Sequence, residues 1–230
     1  MGDHRSARDG SWDSVPFART AGCGRMMCSA DGAEIRRRDG RHYVAGVATC
    51  GSVWLCPVCE AKIRTRRAVE MRELGAAHVA AGGSLGLLTL TVRHGPQNGL
   101  DELLTAEMEA WKSIQQDDRW RELQRTRVEG PRGGVRWIEA GDELLVGHAR
   151  TTEATQGFTK DPAGGSWHPH QHLVLFWRDG EDHSADVAWI QNAWAERVEA
   201  RLGLRPGAVG FDYRSIDATN VDYISKIADE

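Results

Sequence analysis

SWHPHQHLVLFW, residues 166–177, sets three histidines at alternate positions and then runs into apolar and aromatic residues. In an extended chain every second side chain points to the same side, so His168, His170 and His172 converge on one face of a strand. The apolar run is read as carrying Leu173, Leu175 and Trp177 along that face, with Val174 and Phe176 on the other. A single histidine in such a place is most often a hydrogen-bonded edge residue. Three in register beside a buried-looking run point instead to a metal site.

The sequence before this strand makes it the second arm of a hairpin. KDPAGG at 160–165 is strong turn chemistry, and ELLVGHARTTEAT at 143–155 reads as extended. A register with Glu153 facing His170 centres the turn between Asp161 and Pro162, inside that loop. Two imidazoles and one carboxylate suit a divalent cation that keeps open positions for water or a phosphate oxygen. Glu139, in the extended segment RWIEA at 136–140, is the reserve ligand. The plainer alternative for either glutamate is a surface carboxylate.

Further along, DYISK places Tyr223 and Lys226 one helical turn apart. An ammonium there would favour the phenolate and lower a pKa that starts near ~10. Such a pair is also common on helix surfaces.

Five cysteines form the second concentration of chemistry. CGSVWLCPVC brings Cys50, Cys56 and Cys59 within ten residues, after Cys23 and Cys28. The Cys56–Cys59 step can aim two thiolates at one ion, and a structural zinc site wants four ligands. Cys50 and Cys23 complete the set, with Cys28 as the substitute for Cys23. A redox pair has the same spacing, but no thioredoxin-like strand precedes it.

The rest of the chain reads as α+β. Helices are expected at 60–81, 99–116 with Asp101 as the cap candidate, 184–203 ending at Gly203, and 217–230; further strands are expected at 84–94 and 208–216. With 230 residues, 40% of them hydrophobic, the chain can bury a core of ordinary size. Three segments are expected: 1–21 flexible, 22–60 a cysteine-rich zinc-binding module, and 61–230 the main domain. No apolar run approaches the roughly 20 residues of a membrane span, and residues 1–21 lack the apolar core of a signal peptide, so a cytoplasmic protein is expected.

A net charge of -4 does not announce a nucleic-acid binder. Positive residues are nonetheless bunched in IRRRDGRH at 35–42 and AKIRTRRA at 61–68, so a local basic face is possible, with Lys62, Arg64, Arg66 and Arg67 as its candidate DNA contacts.

Four blocks then carry a family resemblance: CGSVWLCPVCEAKI, the strand LLTLT at 87–91, TEATQG followed by SWHPHQHLVLF, and YISK. In this order, over roughly residues 22–228, they resemble the rolling-circle replication initiators (Rep proteins) of actinobacterial plasmids, within the HUH endonucleases. The resemblance implies a palm-like antiparallel sheet flanked by helices. It makes His170, His172 and Glu153 the ligands of a catalytic magnesium or manganese, Tyr223 the nucleophile and Lys226 its helper, with His168 in support.

The implied activity is site-specific nicking and joining of single-stranded DNA at a plasmid origin hairpin through a 5′-phosphotyrosine, with host helicase and polymerase as partners. The chain departs from the pattern at Gln171, where the motif has a hydrophobe, in having a single tyrosine in the last helix, and at Thr219, where some relatives carry a glutamate. It stops four residues after Lys226 within an apparent helix, which reads as a trimmed catalytic domain. An HUH transposase or relaxase would share the chemistry, and a non-catalytic zinc-containing DNA-binding module would share only the cysteines and the basic helix.

Overall fold

The computed structural model describes residues 18–38, 40–53, 55–95, 97–130, 134–157 and 166–216. The chain divides into two compact units, Met1–Arg67 and Ala68–Glu230.

The first unit holds α1 (Ala18–Ala21), the antiparallel pair β1 (Glu34–Arg38) and β2 (Arg41–Ala45), and the first turns of α2 (Pro57–Ala80). Gly40 turns the hairpin with φ 76°, a left-handed conformation that a side chain would strain. Gly46 closes its base. A Cβ there would stand 2.1 Å from the Gly32 carbonyl oxygen, so only glycine lets the two segments approach. The helix α2 begins three residues earlier than Glu60. Pro57, with no N–H to satisfy and φ preset, is a favourable first helical residue.

The second unit is built on β3 (Ser84–Thr91), β6 (Leu145–Gly157), β7 (Ser166–Trp177) and β8 (Phe211–Ile216). They form one antiparallel sheet in the order β6-β7-β3-β8. The helices α3 (Leu100–Gln115), α4 (Asp118–Gln124) and α5 (Ser184–Leu202) contribute to a core on one face, where Leu103, Trp111, Ile114, Trp120, Ile190 and Trp194 pack with Leu88, Leu90, Leu173, Leu175 and Trp177. On the other face, Leu85, Leu87, Val174, Phe176 and Ile216 form a smaller core with Met71 and Val79 of α2. The α+β expectation holds, as antiparallel sheets flanked by helices.

The two cores correct the face assignment in the histidine strand. The pairing of β7 is regular from Ser166 to Phe176, its one irregularity falling beyond that point opposite Leu145 and Gly147. Alternation therefore continues from His172 to Val174 and Phe176. Leu173, Leu175 and Trp177 lie on the opposite face with Gln171.

Other boundaries shift locally. The N-cap of α3 is Gly99, without a side-chain cap bond, and Asp101 sits inside the first turn. The helix α5 ends as expected at Gly203, in the left-handed conformation with φ 68°. The short α4, capped by Asp117 accepting from the Arg119 N–H, has no counterpart among the expected elements; β5 (Val135–Ile138) overlaps the segment read as extended at 136–140, and it pairs with β4 (Thr126–Glu129), which also has none. The turn at 158–165 and the expected last helix at 217–230 lie outside the described residues. No helix among the described residues is long and apolar enough to cross a membrane.

Candidate functional site

The β6–β7 ladder places Glu153 directly opposite His170, the expected register, with Thr151 opposite His172 and Thr155 opposite His168. From the other side β3 sets Thr89 against His172 and Thr91 against His170. Directly paired side chains share a face, so three imidazoles, one carboxylate and four threonines occupy one patch of the sheet. His172 Nε2 stands 3.7 Å from Glu153 Oε2, and both side chains are partly buried. Thr89 Oγ1 lies 3.0 Å from His172 Nδ1. If Nδ1–H donates to this hydroxyl, the Nε2 lone pair is left toward Glu153.

The His168 and His170 rings meet edge-on at 4.2 Å, and those of His170 and His172 lie nearly parallel at 6.0 Å. Burial first, then the neighbouring imidazoles of His168, His172 and His94, pull the His170 pKa down to about 4. It is therefore a neutral lone-pair donor at physiological pH.

His94 belongs to this patch and was not read from the sequence. Its Nε2 meets His168 Nδ1 at hydrogen-bond distance, while its own Nδ1 is buried without a partner. The available signal was positional. Once Thr91 pairs with His170, a residue three places past Thr91 runs toward His168. Glu139, the reserve ligand, is exposed and follows the last residue of β5, a strand of the separate two-stranded sheet, so it is not on the β6–β7 ladder.

Beneath the pair, on the helical face, Gln171 is fully buried and its Oε1 accepts from Arg150 Nη1 at 3.3 Å. Glu107 of α3 is also fully buried. Desolvation raises its pKa to about 8, against a weaker pull from the Gln171 amide and the Arg150 guanidinium. A polar residue between two candidate ligands thus belongs to an internal polar group.

The cysteines form the tightest cluster. The Sγ atoms of Cys23, Cys50, Cys56 and Cys59 all lie within 4.8 Å of one another, and this is the only such group of three or more His, Cys, Asp or Glu among the described residues. Cys23 and Cys59 are 3.4 Å apart, and Cys50 and Cys59 3.7 Å. Tetrahedral thiolates at a zinc–sulfur distance of ~2.3 Å would stand roughly 3.8 Å apart, so the cluster could hold a metal such as zinc.

Backbone N–H groups point at its sulfurs, from Cys50 to Cys23 and from Ser52 to Cys50, each at 3.4 Å. The N–H groups of Cys59 first, and more weakly of Val58, help bring the Cys56 thiol down to about 7 against the opposing effect of burial. Cys23 moves the other way, to about 12: the Cys50 N–H favours its thiolate, but burial and the neighbouring thiols outweigh it. Four thiols this close cannot all lose protons without a cation, so some are held while others leave easily. Cys28 is exposed and outside the cluster, whose fourth thiol is Cys23.

Of the candidate DNA contacts on α2, Lys62, Arg66 and Arg67 are exposed, and Arg64 is half-buried and paired with Glu60 at 3.0 Å. Tyr223 and Lys226 lie outside the described residues.

The chain is 34% identical over 146 residues to a Streptomyces lividans protein named "Protein rep", an alignment that covers 59% of this chain and 31% of that protein. It is 28% identical over 166 residues to a Streptomyces cyanogenus protein named "Neomycin resistance protein", covering 61% of this chain and 33% of that one. It spans about a third of the length of these curated relatives. These alignments bear out the likeness to actinobacterial plasmid Rep proteins. No family model and no solved structure matches the chain.

Proposed function

We propose that this chain is the nicking and joining part of a rolling-circle plasmid replication initiator, an HUH endonuclease whose palm-like sheet is β6-β7-β3-β8. One observation carries the reading: Glu153 pairs with His170 and stands 3.7 Å from His172 on adjacent strands. It does so in a chain similar to a Streptomyces protein named rep. Residues 61–230 are the endonuclease domain and 22–60 the zinc-binding module, closed by Cys23, Cys50, Cys56 and Cys59.

The donor set fits a divalent ion such as magnesium or manganese: a neutral imidazole, a second imidazole oriented by Thr89, and a carboxylate beside it. His170, His172 and Glu153 would hold the ion, which when bound draws electron density from the scissile phosphate. Tyr223 Oη attacks phosphorus in line and gives up its phenolic proton. The bond from phosphorus to the 3′-oxygen breaks, that oxygen leaves as a hydroxyl after taking a proton, and the 5′-phosphate stays esterified to Tyr223.

Lys226 favours the phenolate through its charge. Joining is the reverse attack by a 3′-hydroxyl, so the phosphodiester energy is kept and no nucleotide cofactor is consumed. Lys62, Arg64, Arg66 and Arg67 hold backbone phosphates, and the freed 3′-hydroxyl is the primer for host helicase and polymerase.

The test is incubation with manganese and a library of single-stranded origin segments, followed by denaturing electrophoresis. A protein–DNA adduct that survives denaturation is expected, and Tyr223→Phe should abolish it together with nicking while DNA binding persists. Cleavage by Tyr223→Phe would move the chemistry to activated water. Absence of any adduct would leave a DNA-binding module.

A further inference from the structure

The basic run at 35–42 is not used by the reading above, and the fold gives it an unusual setting. All five positions of β1 are exposed, and so are His42, Tyr43 and Val44 of β2. The two strands form their own sheet, with no third strand among the described residues. A lone hairpin is marginally stable in water and needs an anchor. Here the base supplies it, through the Met27–Val47 bridge and the Cys28 N–H donating to the Gly46 carbonyl at 2.8 Å.

Charge and apolar surface are sorted along the ribbon. Ile35 faces Val44 toward the base, whereas Arg37 faces His42 and Arg38 faces Arg41 beside the Gly40 turn. Alternation puts Arg36 and Arg38 on one face and Arg37 on the other. Arg36 is engaged with Glu34, both at least half exposed, and such a surface pair contributes little and yields readily to a phosphate.

A flat anionic surface would meet only one of these faces. A groove walled by phosphates on both sides meets both, and the major groove of B-DNA, ~12 Å wide, admits a two-stranded ribbon. We propose that the β1–β2 hairpin is an arm that docks in the major groove of double-stranded DNA. Arg36, Arg37 and Arg38 meet the backbone phosphates, and Ile35 and Val44 are free for contact with thymine methyl groups. The proposal rests on the reading above only in taking DNA as the partner, and it adds a hold on duplex to the handling of single strands.

The test uses the full chain with a short random-sequence duplex and with one of its strands alone, titrated by fluorescence anisotropy from about 50 to 200 mM salt. Arg36→Gln/Arg37→Gln/Arg38→Gln should lower duplex affinity at least ~10-fold and reduce the salt slope by roughly two to three, about 0.9 for each lost phosphate contact. Single-strand binding and adduct formation should be unchanged. The triple lysine variant should keep the salt slope, which separates loss of charge from loss of the hairpin.

Unchanged duplex affinity in the glutamine variant overturns the proposal. So does an equal loss on duplex and single strand, which would make the ribbon a general polyanion contact. If the unmodified chain forms no adduct on any strand while the glutamine variant still loses duplex affinity, the nickase reading fails and the arm stands.

Discussion

Glu107 is a carboxyl removed from water with neither oxygen at hydrogen-bond geometry to a partner. Its pKa of about 8 in the folded chain lies above its ordinary value of 4.5. Between those two pH values the native state holds a proton that the unfolded state has released. Stability therefore falls as pH rises through this window, by at most ~1.4 kcal/mol per pH unit. Denaturant titrations from about pH 5 to 8 should show that decline, and Glu107→Gln should flatten it; an unchanged slope would mean another group is responsible. The histidines call for a different readout. His170→Ala or His172→Ala should suppress nicking far more than His168→Ala, whose ring is engaged by His94. Equal loss from all three would extend the ligand set to His168.

Among the elements, the β6–β7 ladder decides which carboxylate lies beside the histidines. Its register sets Glu153 against His170, whereas Glu139 follows the end of β5, away from this ladder. A manganese titration should thus show weaker binding for Glu153→Ala and little change for Glu139→Ala. The reverse ranking would place the site off this ladder. At the start of α2, Cys56 precedes Pro57 at the helix N-terminus, where backbone N–H groups face its sulfur. Purified protein should carry about one zinc that survives dialysis against magnesium, because thiolates prefer the softer ion. Cys56→Ser should lose it and Cys28→Ser should keep it, as elemental analysis will tell. Retention of zinc by Cys56→Ser would remove that thiol from the ligand set.

For the whole molecule, the two units differ in what holds them. Among the described residues, the buried apolar cluster of the first is Cys23, Cys56 and Cys59 with Cys50 and Ile63 around it, little core without an ion to bind the thiolates. The second buries Trp111, Trp120, Trp177 and Trp194 almost completely. A strong zinc chelator should therefore expose the cysteines to thiol reagents while the near-ultraviolet dichroism of those tryptophans persists. Collapse of that signal on chelation would show that the second unit depends on the first. Leu173→Ala, in the core under the sheet, should cost ~2–5 kcal/mol in the second unit.

What could be read along the chain was whatever a local period or spacing decides. The histidine strand, the Glu153–His170 register, the end of α5 at Gly203 and the convergence of four cysteines all follow from alternation, turn position or ligand spacing within a short segment, Cys23 excepted. That Cys23 rather than Cys28 joins the other three thiols is visible only in the fold, since both precede Cys50 at distances the spacing allows. His94 and Glu107 came from tertiary structure alone. One joins the patch because β3 docks antiparallel on β7, the other lies under Gln171 because α3 packs on that face. The polar character of Gln171 looked like a departure in sequence and is a buried contact in three dimensions. A side chain's environment is set by what the chain brings across from far away, and no period along the strand carries that information.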